Sequence, residues 1–276
     1  MGGPTGTKRK LAAYLSLFLL LCVFSLVAGK LAPHDAEFVD LAAAKQAPGG
    51  AYPLGTDGLG RCIWSRILAG ASSSIFASLV IVVISLVVGC AVGIVSGYAG
   101  GVIDEIVMRV VDVFLAFPGI VLSIAVAGML GPGLKNGVLA LAATGWTQYA
   151  RLTRSYVLSL RQENYVRAAR LNGQTGLSIL IRHILPNAIR PVAVTGTLHL
   201  SGAMLGISGL SFLGLSSSSA EWGSMLSEGR SLMQQCPWAV LYPALAIFLV
   251  TILFNLLGDS VRDVLDPSGA ENTLKD

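Results

Sequence analysis

Charge is what this sequence has least of. Only 12% of its 276 residues are Asp, Glu, Lys or Arg, against ~25% in an ordinary soluble domain, while 54% are hydrophobic and the mean hydropathy is +0.71. A chain so poor in charge cannot cover a folded surface for water, so its solvent must be lipid. Paired cysteines are missing too. Cys22, Cys62, Cys90 and Cys236 form no CxxC and show no zinc spacing with His34, His183 and His199, so neither a redox site nor a structural metal site is indicated. There is no GxxxxGK[ST] phosphate loop, the nearest approach being the glycines before Lys8, so ATP hydrolysis is excluded from this chain, and the absence of HExxH argues against an intramembrane metalloenzyme. No carboxylate falls deep in an apolar run, whereas a secondary transporter should place coupling carboxylates near the middle of its spans. The net charge of +4 comes from basic residues between apolar segments and not from a soluble patch, so it marks topology and gives no sign of a nucleic acid partner.

What the sequence does have is a series of apolar runs. They predict an all-α, polytopic membrane protein of about six transmembrane helices. After Lys8, Arg9 and Lys10 the run Leu11–Gly29 carries no charge and exceeds the ~7–15 residues of a signal-peptide core, so it reads as a retained first helix. Residues 30–66, with Pro33, Pro48, Pro53 and Gly49-Gly50, read as an irregular outer loop. From Ile67 to Gly101 no charge appears; a second span is expected over 75–98, with Ser72–Ser74 at the interface. Gly89, Gly93 and Gly97 recur every fourth residue, which makes a face that another helix can approach closely. Asp104, Glu105, Arg109 and Asp112 suggest an inner turn, followed by a third span over 113–131 bent at Pro118 and a short fourth over 137–150. Residues 151–190 hold seven arginines against one acid, Glu163, which assigns them to the cytoplasm. A fifth span over 191–215, an outer segment with Glu221, Trp222, Glu228 and Arg230, and a sixth span over 238–258 complete the map. The chain then divides into a first helix with outer loop (1–66), a permease core (67–264) and a tail (265–276), with both termini cytoplasmic. Cys62 and Cys236 fall on the same outer side, which leaves a disulfide between them open.

Within 151–190, the segment Tyr165-Val166-Arg167-Ala168-Ala169-Arg170-Leu171-Asn172-Gly173 is followed ten residues later by His183-Ile184-Leu185-Pro186-Asn187. Gly173 suits the left-handed turn that ends a helix, Leu177, Leu180, Ile181 and Ile184 repeat at helical spacing, and Pro186 should stop the pattern. Two short helices with an apolar stripe fit either a partner's groove or the lipid surface. The spacing resembles the EAA coupling loop of ABC-importer permeases: Ala168, Ala169, Gly173, His183, Leu185, Pro186 and Asn187 match, and Arg167 stands where that family usually has Glu. Leu54-Gly55-Thr56-Asp57, Leu59-Gly60-Arg61, Ser65-Arg66, Met108-Arg109, Phe117-Pro118, Leu210–Leu215 and Trp222-Gly223 resemble the second permease of the peptide/nickel branch, with Cys62 replacing a usual Asp.

The resemblance implies a type I importer permease in the bacterial inner membrane that is not itself an enzyme and holds no cofactor. Its partners would be a sister permease, an external solute-binding protein, cytoplasmic ABC ATPases that use the ATP, and membrane lipid. Ile207, three positions before Leu210, stands where peptide permeases commonly carry an acid. Together with Ala220-Glu221-Trp222-Gly223, this makes the chain look like the nickel type, with di- or oligopeptide import as the alternative. His199, with Met204 about a turn away, is the candidate for the translocation path. Imidazole suits nickel, yet a histidine hydrogen-bonded to a neighbouring helix would read the same way. The charge asymmetry yields a direct prediction: a reporter fused near residue 170 should be cytoplasmic and one near residue 45 external. Both on one side would reject the map.

Overall fold

In lipid every backbone N–H and C=O needs an internal partner, which selects helices over open strands. The structure is a computed structural model describing residues 4–215 and 220–265, and among the described residues it is helical, with one isolated bridge between Thr56 and Cys62. The long helices are α1 (Pro4–Ala28), α2 (Ile63–Ala99), α5 (Leu134–Leu160), α8 (Leu185–Phe212) and α10 (Trp238–Leu265). Between α2 and α5 lie α3 (Gly101–Leu115) and α4 (Gly119–Leu130); α6 (Asn164–Leu171) and α7 (Gly176–Ile179) precede α8, and α9 (Trp222–Gly229) precedes α10.

Four helical segments among the described residues are long and apolar enough to cross a membrane, and the α3–α4 pair makes five if taken as one span bent by 89°. Helix α5 is the sixth long element. At 27 residues it spans about 40 Å, ample for a ~30 Å core, but it is too polar to meet the same apolar test. It need not be apolar all round, because one face lies against α2. There a Cβ added at Gly89 would sit 2.5 Å from the Cβ of Tyr149, one at Gly93 2.7 Å from that of Thr153, and one at Gly97 3.0 Å from that of Val157. The two helices therefore run parallel in register, backbone against backbone.

Several expected boundaries move, each for a stated reason. Helix α2 starts at Ile63, so Ser72–Ser74 lie inside it; Ser74 is fully buried and its hydroxyl donates to Glu221 at 3.4 Å. Arg66, assigned to the loop, is a buried helical residue. Asp104–Asp112 are not a turn but one side of α3; the turn is confined to Gly100 and Gly101, at φ +69° and +56°. Pro118 breaks the third span outright. Helix α5 runs ten residues past the expected end at 150 because Arg151 and Arg154 are neutralised on Asp112 and Asp104, at 2.5 Å each, and are not free loop cations. Pro186 does not end a helix but lies within the continuous helical run Gly176–Phe212, at the point where α8 begins. A π-turn over Leu180–Ile184, in which the Leu185 N–H reaches the Leu180 carbonyl, joins α7 to α8 and absorbs the proline's misfit. The four cysteines are free, Cys62 and Cys236 both buried, so neither takes part in a disulfide. Residues 266–276, the expected tail, lie outside the described residues.

Two packed regions mark the two ends. At one, Ile63, Trp222, Met225, Cys236 and Phe254 join α2, α9 and α10; at the arginine-rich end, Val157, Val166, Ala169, Ile179, Ile184 and Ala188 join α5 through α8. Exposed apolar side chains such as Leu20, Val83, Met129 and Phe248 lie on the outside of the bundle, where lipid would meet them. The seam predicts a specific sensitivity. Gly93→Leu should cut the yield of monodisperse complex several-fold in fluorescence-detected gel filtration, since overpacking costs about 1–3 kcal/mol before the helices separate. Gly128→Leu, where an added Cβ would meet nothing within 4 Å, should leave the yield unchanged.

Candidate functional site

At the arginine-rich end the chain leaves α5, turns at Arg161–Glu163 and enters α6. Val166 and Ala169 face inward onto Val157, Ile179 and Ile184, while Arg167, Ala168 and Arg170 face outward. The two candidate alanines thus differ: Ala169 is packed underneath, and Ala168 is exposed. Helix α6 ends in a Schellman turn. The Gln174 N–H reaches the Ala169 carbonyl at 3.2 Å, the Gly173 N–H reaches that of Arg170 at 3.1 Å, and Gly173 takes φ +74°. Beyond Gly173, Leu177 and Ile181 are exposed, as is Leu171 at 89%, whereas Ile184 is fully buried, so the expected stripe is split between the outside and the core. His183 is half-buried and its Nε2 pairs with Gln174 Oε1 at 3.0 Å, bracing the turn; Leu185 is half-buried and Pro186 exposed.

Two residues that sequence reasoning passed over hold this segment to α2. The Tyr98 hydroxyl donates to the Gly176 carbonyl at 2.6 Å, and Arg161 donates from Nη1 to the Gly97 carbonyl at 2.8 Å while lying over the Tyr98 ring. Arg161 thereby caps the last turn of α2, a use of Arg at a helix C-terminus that its place among seven arginines concealed.

His199 lines a cavity of about 410 Å³ between α2, α4, α5 and α8, with Ser85, Ser123, Thr144, Gln148 and Tyr149. Its Nδ1 is 3.1 Å from the Tyr149 hydroxyl. Met204 is not with it; fully buried, it packs in the core with Ile75, Leu200 and Phe254. Among the described residues no three His, Cys, Asp or Glu side chains come together as a metal shell would require.

At the opposite end Asp57 receives Arg61 Nε at 2.8 Å and Arg66 Nη1 at 2.7 Å, and Glu228 on α9 receives Arg61 Nη2 at 2.5 Å and the same Arg66 nitrogen at 2.8 Å. These pairs clamp the loop before α2 onto α9. Glu221, in the expected outer segment, is fully buried as the cap of α9, accepting from the Ser224 N–H at 2.9 Å.

The described residues form a bundle of apolar helices with a largely apolar cavity that carries a few polar groups, and a braced helix–turn–helix at one end. Residues 89–269 match the family described as binding-protein-dependent transport system inner membrane component. The chain is 40% identical over 264 residues to a glutathione transport system permease protein, GsiD, of Pectobacterium atrosepticum, covering 94% of this chain and 88% of that one. It is 42% identical over 224 residues to a dipeptide permease, DppC, of Alkalihalophilus pseudofirmus (80% and 74% covered), and 40% over 258 to a probable D,D-dipeptide permease, DdpC, of Escherichia coli K12 (93% and 86%). Among solved structures, the inward-facing MetNI methionine ABC transporter superposes with a TM-score of 0.60 at 18% identity, over 72% of this chain and 96% of that one, which shows a shared fold. The chain belongs to the binding-protein-dependent inner membrane component family and is a permease subunit of an ABC importer, of the peptide/nickel type.

The clamp gives a stability prediction. Asp57→Ala removes one of the two carboxylates on a 1%-exposed arginine, a loss of about 3 kcal/mol for a buried pair. It should lower the Tm of the purified complex by several degrees, and an unchanged Tm would show that the clamp is solvated.

Proposed function

We propose that this chain forms half of the translocation path of an importer for short peptides. In this reading a sister permease supplies the other half, an external binding protein delivers cargo, and separate ATPases at the arginine-rich, cytoplasmic end hydrolyse the ATP. In this reading both termini lie in the cytoplasm, with Lys8, Arg9 and Lys10 at the inner end of α1. The observation that carries the reading is the surface of α6 and its turn. Ala168, Leu171, Leu177 and Ile181 are exposed at the end of the bundle where arginine excess places the cytoplasm, on a segment bonded directly to α2 and continuous with α5 and α8. A partner gripping that surface can tilt three long helices at once.

The names of the relatives favour peptide over the nickel cargo to which the sequence leaned. The structure supplies a reason to discount that lean. Ile207 is fully buried against Ala77, Ile81 and Val138, and Glu221 caps a helix, so both positions are accounted for by packing within the chain. In reconstituted vesicles a labelled dipeptide should be taken up and radioactive nickel should not.

Gly173 tests the coupling. An added Cβ would meet nothing of this chain within 4 Å, so what a substitution meets there is backbone strain and the partner. Gly173→Val should abolish uptake and weaken co-purification of the ATPase, because a β-branched residue at φ +74° costs about 1–3 kcal/mol. Gly173→Asn, which tolerates that conformation, should retain most uptake. If the valine variant transports normally and keeps its ATPase, the segment is not the coupling surface.

A further inference from the structure

Helix α5 carries a stripe that its burial alone does not explain. Thr144, Gln148, Arg151 and Ser155 recur at i, i+4, i+7 and i+11, on the side away from the glycine seam; Gln148, Arg151 and Ser155 are exposed and Thr144 half-exposed. A polar stripe on a membrane helix faces water or another polar group, because lipid offers no hydrogen bonds. The stripe starts in the cavity of His199 and runs toward the arginine-rich end. Where it enters the cavity, two groups retain unused hydrogen-bonding capacity. The Gln148 carboxamide makes no hydrogen bond among the described residues, and His199, held at Nδ1 by Tyr149, makes none at Nε2. By contrast the hydroxyls of Ser123 and Thr144 are turned to each other at 2.8 Å and to carbonyls of their own helices.

The lining contains no Asp, Glu, Lys or Arg. It therefore lacks the anionic ligands that would hold a bare divalent cation, and it does not select by charge. What it offers is one carboxamide and one imidazole nitrogen beside the small surfaces of Gly145, Gly202 and Gly206. A carboxamide carries the same carbonyl acceptor and N–H donor as a peptide unit, so the two can pair reciprocally. The volume of about 410 Å³ falls in the ~300–1,000 Å³ range of small-molecule sites. Two neutral hydrogen bonds hold weakly, which suits a site that must release its cargo as the path opens.

We propose that this cavity recognises the main-chain amide of a peptide in transit, with Gln148 and His199 as its specificity-determining residues. This rests on the peptide reading above. It makes the permease, and not only the external binding protein, a reader of the cargo's backbone, independent of side chains. Transport should then discriminate between a peptide and an analogue whose amide N–H is replaced by an ester oxygen.

The test uses the whole importer with its binding protein in proteoliposomes and compares uptake of labelled alanyl-alanine with that of its ester analogue. Because the binding protein is the same throughout, a change in the amide-to-ester ratio belongs to the permease. Gln148→Leu should lower alanyl-alanine uptake about fivefold to tenfold more than ester uptake, because the ester shares only the carbonyl half of the pairing and has one hydrogen bond fewer to lose, so that the ratio collapses. Gln148→Asn should restore part of the ratio, and His199→Phe, which removes a partner of the carbonyl that both cargoes carry, should lower uptake of both. An equal fall for both cargoes or an unchanged ratio in Gln148→Leu, or unchanged uptake in His199→Phe, overturns the proposal while leaving peptide import intact. Absence of uptake of either cargo by the unaltered importer, with its ATPase active, would instead reject the peptide reading and this site with it.

Discussion

The close approach of α2 and α5 along Gly89, Gly93 and Gly97 is the contact on which the other features depend. With hydrogen in place of side chains, the two backbones meet near enough that Tyr149, Thr153 and Val157 fill the space a Cβ would need. In lipid there is no hydrophobic force between apolar helices, so such packing, with a few hydrogen bonds, must hold them together. Once α5 is fixed on that face, its rotation is determined. Tyr149 is buried beside His199, the polar stripe from Thr144 to Ser155 points away from α2, and the end of α5 delivers α6 next to Tyr98.

Charge plays a different part at each end. At the end that carries α9, the Asp57–Arg61–Arg66–Glu228 network, buried except at Glu228, fixes a loop of irregular backbone onto a helix, a task for which directional pairs suit better than apolar contact. At the other end the Asp104–Arg154 pair is bidentate and partly buried, whereas Asp112–Arg151 is 55% exposed on both sides and contributes less. Together they strap α3 to α5, so the bent α3–α4 pair follows α5. A force applied at α6 would thus reach α2 through Tyr98 and Arg161, and α3 through the two aspartates.

Much of this was legible along the chain. The first helix, the glycine face, the arginine-rich segment and the helix–turn–helix with Gly173 at its turn all follow from local patterns: a run without charge, a period of four, a charge bias and a residue able to take positive φ. The sequence was misleading where a local signal had a distant remedy. Arg151 and Arg154 look like loop cations until Asp112 and Asp104 are brought opposite them. Pro186 looks like a stop until a π-turn makes room for it. Ser74 and Glu221, 147 positions apart, look like an interfacial and an outer residue with no relation until they are seen bonded to one another. Tyr98 and Gln148 gave no signal, since nothing in their neighbourhood says what they will face.

The sequence by itself determined the solvent, the helical class and the family to which the chain belongs. These follow from composition and short-range spacing, which need no partner to take effect. Only the tertiary structure decided which polar groups were satisfied. Met204 was taken into the core while His199 was left on a cavity, and of two neighbouring alanines one was packed away and one displayed. Burial is a property of what surrounds a residue, and the neighbours that set it here lie as far as 236 positions away along the chain, as Phe18 does from the fully buried Phe254.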